Sequence, residues 1–134
     1  MAAIGAVVAA LITGYVAMKG QKALHQRRME AYDEFQASLN QFRRALTAPD
    51  PDFELAELMD ANQGVHDMIY KVWTVAPKKV TELVIQISHT CGAISHHVQR
   101  GRLDSLAKRE EAWRTRVWPL RRQLNNATAQ RGGY

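Results

Sequence analysis

Apolar residues recur along most of the chain at alternating spacings of three and four, which places side chains on one face of an α-helix. Four such stripes follow one another, separated by short breaks. Their members are Tyr32, Phe35, Leu39, Phe42 and Leu46; Leu55, Leu58, Asn62, Val65, Ile69, Val72 and Ala76; Val80, Val84, Ile87, Cys91, Ile94 and Val98; and Leu103, Leu106, Glu110, Trp113, Val117, Leu120, Leu124 and Ala127. The pattern predicts an all-α protein with helices at about residues 19–47, 51–75, 77–100 and 105–130.

The breaks between the stripes carry helix start and stop signals. Asp50 followed by Pro51 is typical of an N-cap and a first helical position, and Asp104 is placed to cap the fourth helix. Gly101 is predicted to end the third helix in the left-handed conformation. Pro119 interrupts the fourth stripe and should bend that helix or remove one of its hydrogen bonds.

Ahead of the stripes, residues 2–18 form a run of 17 residues without a charge. A helix of that length spans roughly 26 Å, just enough to cross the hydrocarbon core of a bilayer. A cleaved signal peptide and a buried core helix are the alternatives, but a signal peptide would carry basic residues before its apolar run. We therefore expect residues 1–18 to be a transmembrane helix that continues into an antiparallel four-helix bundle over residues 19–131, with 132–134 as a frayed tail. A three-helix bundle with a detached stalk is the alternative fold.

Basic residues follow the apolar run directly. Because basic flanks resist translocation, they predict a cell-membrane protein with its N-terminus outside and its bundle in the cytoplasm. The same side chains are predicted to contact anionic lipid headgroups. They are Lys19, Lys22, Arg27 and Arg28.

Small and bulky residues of the apolar run are predicted to lie on different faces of the helix. Small residues at intervals of four let two helix backbones approach closely in lipid. The small residues are Ala2, Gly5, Ala6, Ala9, Ala10, Thr13, Gly14 and Ala17. This face predicts packing against another copy of the chain or against another membrane protein subunit.

The stretch 89–97 holds the densest group of potential metal ligands: His89, Cys91, His96 and His97. Cys91 belongs to the third stripe, so it is predicted to be a small buried side chain. His89 and His96 lie seven residues apart, about 10.5 Å along a helix, which is too far for one tetrahedral zinc site. With no phosphate loop, nucleophile elbow or His-Glu-x-x-His motif in the sequence, we expect no metal, no cofactor and no catalytic residue.

The net charge of +5 is distributed unevenly, with six acidic residues and one basic residue between 48 and 76 and eight basic residues between 102 and 134. The basic residues of the fourth helix could pair with the acidic second helix, contact headgroups or a partner, or bind nucleic acid. An acidic segment that can neutralise them within the fold favours the first alternative and disfavours nucleic acid.

The stretch GYVAMKGQKALHQRRMEAYDEFQASLNQFRRAL places an Arg/Gln-rich turn after an apolar span and then a Tyr/Phe/Leu helix. Over about residues 5–46 the chain resembles small uncharacterised single-pass membrane proteins of actinobacteria and their phages. The resemblance implies membrane location and helical content, and it carries no active site. Basic charge ahead of the span, common in inner-membrane proteins, is missing here.

Together these features predict an accessory, scaffold or tethering subunit that acts by helix–helix assembly at the membrane. Two alternatives remain. One is a phage-type lysis or pore-forming protein, which the sizeable bundle and the lone span disfavour. The other is a membrane-anchored sensor or binding module with its bundle outside the membrane.

Overall fold

The first helix runs without a break from the N-terminal segment into the core. A computed structural model describes residues 2–129, with side chains from residue 11 onward. α1 (Ala2–Leu46) has 45 residues and is about 67 Å long at 1.5 Å per residue. Every side chain in 11–23 is exposed, whereas the buried face of α1 lies within 31–46. α1 therefore consists of a projecting stalk and a core-forming part.

Three further helices complete the fold. They are α2 (Leu55–Trp73), α3 (Lys78–Gln99) and α4, which spans 106–128 as Leu106–Ala112, a π-helical turn Trp113–Val117 and Trp118–Thr128. Short connections reverse the chain between successive helices, and α1 packs on α2, α2 on α3 and α3 on α4. Within residues 2–129 the chain forms helices and turns and no strand, which confirms the all-α prediction.

One continuous core lies between the four helices. All five members of the first stripe are buried, and Phe42 meets Trp113 of α4 with 6.4 Å between ring centroids. The other fully buried aliphatic side chains belong mainly to the second and third stripes: Leu58, Val65, Val72, Val84, Ile87 and Ile94. The helical spacing thus identified most of the core correctly.

The start of α2 differs from the prediction. The helix begins at Leu55, with Glu54 in the N-cap position and no side-chain cap hydrogen bond, and not at Pro51 behind an Asp50 cap. The carboxylate of Asp50 instead accepts a hydrogen bond of 2.9 Å from the guanidinium of Arg109. A contact from α4 thus engages the side chain that the local sequence assigned to a helix cap.

The end of α3 follows the prediction. Gly101 has a φ of 76°, in the left-handed region that glycine adopts without steric cost. Its N–H donates to the carbonyl of Val98 at 2.9 Å, and the N–H of Arg102 donates to the carbonyl of His97 at 3.0 Å. These two bonds form a Schellman motif, which satisfies carbonyls at the end of the helix.

The cap of α4 lies one residue later than predicted. Ser105 occupies the N-cap, and its hydroxyl accepts a hydrogen bond from the backbone N–H of Lys108 at 3.3 Å. Asp104 instead accepts from the ammonium of Lys108 at 2.8 Å. Asp104 therefore forms an exposed ion pair with Lys108, four residues later in the chain, and does not cap the helix.

The interruption predicted at Pro119 takes the form of the π-helical turn. In this turn the N–H of Trp118 donates to the carbonyl of Trp113, five residues earlier. Pro119 follows immediately and has no N–H to offer the carbonyl of Thr115, which an α-helix would require. A π turn accommodates one extra residue, so it displaces the buried face of everything that follows by one position.

That displacement explains why the predicted fourth stripe is wrong after the turn: Ala127 was assigned to the core and is exposed, and Arg121 is buried where Leu120 was expected. Glu110, which precedes the turn, is also exposed, and its neighbour Arg109 is buried instead. Four buried side chains of α4 follow spacings of four through the turn: Arg109, Trp113, Val117 and Arg121. The other buried side chains of α4 are Ala112, Leu124, Asn125 and Thr128. The last predicted helical residues, near 130, and the tail at 132–134 lie outside the described residues.

Two leucines of α2, one turn apart, test the assignment of the core. Leu58 is 0 % exposed and Leu55 is 37 % exposed. We expect Leu58→Ala to lower the free energy of unfolding by about 2–5 kcal/mol, because it removes buried methyl groups and leaves a cavity. Leu55→Ala, the matched control, should cost less than about 1 kcal/mol. Urea unfolding followed by circular dichroism measures both, and equal losses would contradict this packing.

Candidate functional site

The exposed stalk is the part of the molecule that the bundle does not use. Bulky apolar side chains remain in solvent along it, among them Leu11 at 68 % exposure and Tyr15 at 63 %. Exposed apolar surface on this scale marks an interaction site. Within residues 2–129, as far as the side chains are described, no helix has the length and apolarity needed to span a membrane.

The predicted small-residue face is described only in part. Thr13, Gly14 and Ala17 are exposed, and a Cβ added to Gly14 would meet no other atom within 4 Å. Nothing in the bundle occupies the space beside this part of the helix. The remaining members, Ala2, Gly5, Ala6, Ala9 and Ala10, lie outside the residues whose side chains are described.

The four basic residues after the apolar run divide into two groups. Lys19, Lys22 and Arg27 are exposed, with the ammonium of Lys19 5.9 Å from the ring centroid of Tyr15. Arg28 is half-buried, and its Nε donates a hydrogen bond of 2.6 Å to the carbonyl of Val75. Arg28 therefore joins the stalk to the α2–α3 connection and marks the point where the bundle begins.

Arg121 lies in the core although no carboxylate pairs with it among the described residues. It is 1 % exposed; its Nε donates to Oε1 of Gln36 and its Nη2 to Oδ1 of Asn40, both at 2.8 Å. Its Nη1 finds no hydrogen-bond partner within the described residues, and its guanidinium lies 5.9 Å from the ring centroid of Trp113. Burial, with Arg43 nearby, lowers the pKa of Arg121. Neutral acceptors and an aromatic ring thus hold this charge between α1 and α4.

Arg109 is the second buried arginine and secures the end of α1. Its Nε donates to the carbonyl of Leu46 at 2.8 Å, and its Nη2 donates to the carbonyl of Ala48 and to the carboxylate of Asp50. Its guanidinium also lies 4.0 Å from the ring centroid of Phe53. A basic group at a helix C-terminus donates to carbonyls that have no partner inside the helix, and its positive charge interacts favourably with the negative end of the helix dipole.

These contacts agree in part with the prediction that the basic fourth helix pairs with the acidic second helix, because Arg109 pairs with Asp50 of the acidic segment 48–76, although Asp50 lies before α2 and Arg121 pairs with no acidic residue among those described. Arg109 pairs with the α1–α2 connection and Arg121 with α1, while Arg102, Arg114 and Arg116 are exposed. That prediction treats the basic residues of the fourth helix as one group and does not separate the buried arginines from the exposed ones. The available signal was the four-residue spacing that places Arg109, Trp113, Val117 and Arg121 in one row.

The histidine and cysteine residues do not converge. Cys91 is fully buried, as predicted, and burial raises the pKa of its thiol to about 12. His89 and His96 are exposed, and the rings of His96 and His97 lie 6.5 Å apart. Among the residues that the structure describes, no group of three or more potential ligands could hold a metal ion.

No protein-family model, curated protein or solved structure matches this chain significantly. The exposure of the stalk and the contacts at its base define the candidate site, which comprises the stalk, the basic residues where it meets the bundle and the end of the bundle nearest to them.

The burial of Cys91 has a measurable consequence. At pH 8 the folded protein holds a neutral, shielded thiol, so a thiol reagent should label it at least about 100-fold more slowly than it labels the unfolded chain. Rapid labelling of the folded protein at pH 8 would contradict the assignment.

The raised pKa of Cys91 also makes the free energy of unfolding depend on pH. The contribution of the buried thiol should be fully present below the ordinary thiol pKa and should be lost as the pH rises from about 9 towards 12.

Proposed function

We propose that this protein is anchored in the cell membrane by the first part of α1 and that its helical bundle, in the cytoplasm, serves as an accessory, scaffold or tethering subunit. The single observation that carries the proposal is the continuity of α1. One helix, without a break, carries bulky apolar side chains in solvent at its N-terminal part and the most deeply buried aromatic residues of the bundle at its C-terminal part.

The apolar part of the stalk needs a partner that is itself apolar. The side chains of Leu11, Ile12, Tyr15, Val16 and Met18 are each more than half exposed. At roughly 25 cal/mol per Å², burying such surface is strongly favourable, and the uncharged run 2–18 is long enough for a hydrocarbon core. The basic residues Lys19, Lys22 and Arg27 then fall at the headgroups of the cytoplasmic leaflet.

Tethering suits a bundle joined to its anchor by a helix. A flexible linker would let the bundle explore a large volume, whereas a helix fixes both the distance and the direction. Arg28 strengthens the joint through its bond to Val75, because it couples the stalk to the α2–α3 connection as well as to the rest of α1. The bundle would therefore be presented at a defined height above the bilayer.

Assembly within the membrane is the second part of the proposal. Thr13, Gly14 and Ala17 continue, on the exposed stalk, the row of small residues that begins at residue 2. Such rows allow close packing of helices in lipid, where dispersion and backbone approach hold helices together. Either a second copy of the chain or another membrane protein can supply the facing helix.

Two arginine substitutions on the stalk test the anchor. Ile12→Arg places a charge inside the proposed span, where insertion scales assign it about 2.5–3.5 kcal/mol. Gln21→Arg places the same charge just beyond it, and both native side chains are exposed. Alkaline carbonate should leave the native full chain and Gln21→Arg in the membrane pellet and should release Ile12→Arg, with the helical content of all three unchanged.

Release of the native chain by carbonate would overturn the anchor, and so would full retention of Ile12→Arg. A C-terminal reporter that is active only outside the cytoplasm should be silent. An active reporter would favour a sensor with its bundle on the outer side.

Crosslinking tests the small-residue face. Single cysteines at Ala6 and Ala10 should form disulfide-linked dimers in membranes more readily than a cysteine at Val8, on the opposite, bulky side. The native Cys91 is buried and should not interfere. Equal crosslinking at all three positions would contradict a specific helix contact, and no crosslinking would exclude a second copy as the partner.

A further inference from the structure

The exposed aromatic residues of the bundle are concentrated at one end. Apart from the stalk, the large hydrophobic side chains exposed among the described residues are Leu55, Tyr70 and Trp73. Tyr70 and Trp73 are 68 % and 60 % exposed and form a pair with 5.8 Å between ring centroids. Tyrosine and tryptophan, each with an apolar ring and a polar tip, are the residues enriched at membrane–water interfaces.

This pair belongs to the end of the bundle from which the stalk leaves. α2 runs antiparallel to α1, so its last turn, with Tyr70 and Trp73, lies beside the first part of α1 that enters the bundle. Two contacts fix this height along α1: Val75 accepts from Arg28, and the ammonium of Lys71 lies 2.9 Å from the carboxylate of Glu34. The aromatic pair therefore lies at the level of residues 28–34 of α1.

Basic residues accompany the aromatic pair. Lys78 and Lys79 begin α3 immediately after the connection and are exposed, and Lys71 is about half exposed. Acidic residues offset part of this charge, since Glu34 pairs with Lys71 and Glu82 lies 3.9 Å from Lys78. Glu30, Asp33 and Asp67 are also exposed at this level of the bundle. The basic stalk residues Lys19, Lys22 and Arg27 extend the positive surface towards the proposed span.

A group of acidic residues lies at the far end of the bundle. Asp50, Asp52 and Glu54 occupy the α1–α2 connection, and Glu57 and Asp60 the first turns of α2. Most of the acidic residues of α2 thus lie away from the stalk, and its aromatic pair lies towards the stalk, with Lys71 and Asp67 close by. The exposed Arg100 and Arg102 of the α3–α4 connection also lie at the far end, so the groups that an anionic bilayer would attract are the exposed lysines beside the aromatic pair and not a net positive end of the bundle.

We infer that Tyr70 and Trp73, with Lys78 and Lys79, dock the bundle onto the headgroup layer of an anionic bilayer. This inference rests on the proposed anchor. Ten residues separate Met18 from Arg28, roughly 15 Å of helix. Spans tilt by about 20° on average and up to about 40°. A tilt towards α2 brings the aromatic side of the bundle down to the interface and gives the bundle a fixed orientation on the membrane.

Quenching of the fluorescence of Trp73 by brominated lipid tests the lipid contact. The full chain is reconstituted into phosphatidylcholine vesicles with or without phosphatidylglycerol, carrying bromine on their acyl chains near the headgroups. Comparing the native chain with Trp73→Phe isolates the fluorescence of Trp73 from that of the buried Trp113 and the half-buried Trp118. We expect bromolipid to quench Trp73, more strongly with phosphatidylglycerol, and Trp73→Phe to lose that quenched component.

Charge reversal at the two ends of the bundle provides the matched control. Lys78→Glu with Lys79→Glu should abolish the extra quenching that phosphatidylglycerol causes. Arg100→Glu with Arg102→Glu makes the same change in net charge at the far end, where both residues are exposed, and should leave the quenching of Trp73 unaltered. Flotation of each variant with the vesicles reports the anchor separately.

The outcomes distinguish the two proposals. A chain that floats with vesicles but whose Trp73 is not quenched keeps the anchor and overturns the docking. Shielding of Trp73 from an aqueous quencher without bromolipid quenching would instead assign this surface to another protein or a second copy. A chain that does not float removes both the anchor and the docking that rests on it.

Discussion

The packing of α1 against the other three helices determines most of what this molecule can do. Phe35, Leu39, Phe42 and Leu46 are at most 1 % exposed, so the second part of α1 is held firmly in the core. Because the same helix continues without a break to Ala2, this packing also fixes the direction in which the stalk leaves the bundle.

Hydrogen bonds from two arginines of α4 add to the apolar packing of the core. Arg109 donates to the carbonyl of Leu46, the last residue of α1, and to the carbonyl of Ala48 and the carboxylate of Asp50 in the α1–α2 connection. Arg121 fills the space between α1 and α4 through Gln36 and Asn40. Taking a charge out of water is costly, and Nη1 of Arg121 has no hydrogen-bond partner among the described residues, so the burial of Arg121 is weak evidence for a net gain in stability.

The two ends of the bundle differ in chemistry, and this difference links the fold to the proposed role. The near end joins the stalk, the Arg28–Val75 bond, the exposed aromatic pair of Tyr70 and Trp73, and exposed lysines. The far end carries the acidic start of α2 together with the exposed Arg100 and Arg102 of the α3–α4 connection. The near end is therefore distinguished by its exposed aromatic pair and the lysines beside it, and not by the net charge of the bundle.

The sequence alone determined which segments are helical, most of the core, the stop at Gly101 and the burial of Cys91, because each follows from local spacing or from the conformational freedom of one residue. The start of α2 and the register of α4 were decided by tertiary structure. Asp50 is a good cap by sequence, yet Arg109, 59 residues away, engages it. The π turn shifts the buried face so that Arg121 replaces an aliphatic residue in the core.

Spacing and charge in the sequence predicted the stalk of the candidate site and its basic flank. The hydrogen bond between Arg28 and Val75 and the aromatic pair at the same end depend on the antiparallel packing of α2, which the sequence did not reveal. Contacts between residues far apart in the chain leave no periodic signal, and for that reason only the folded structure reveals them.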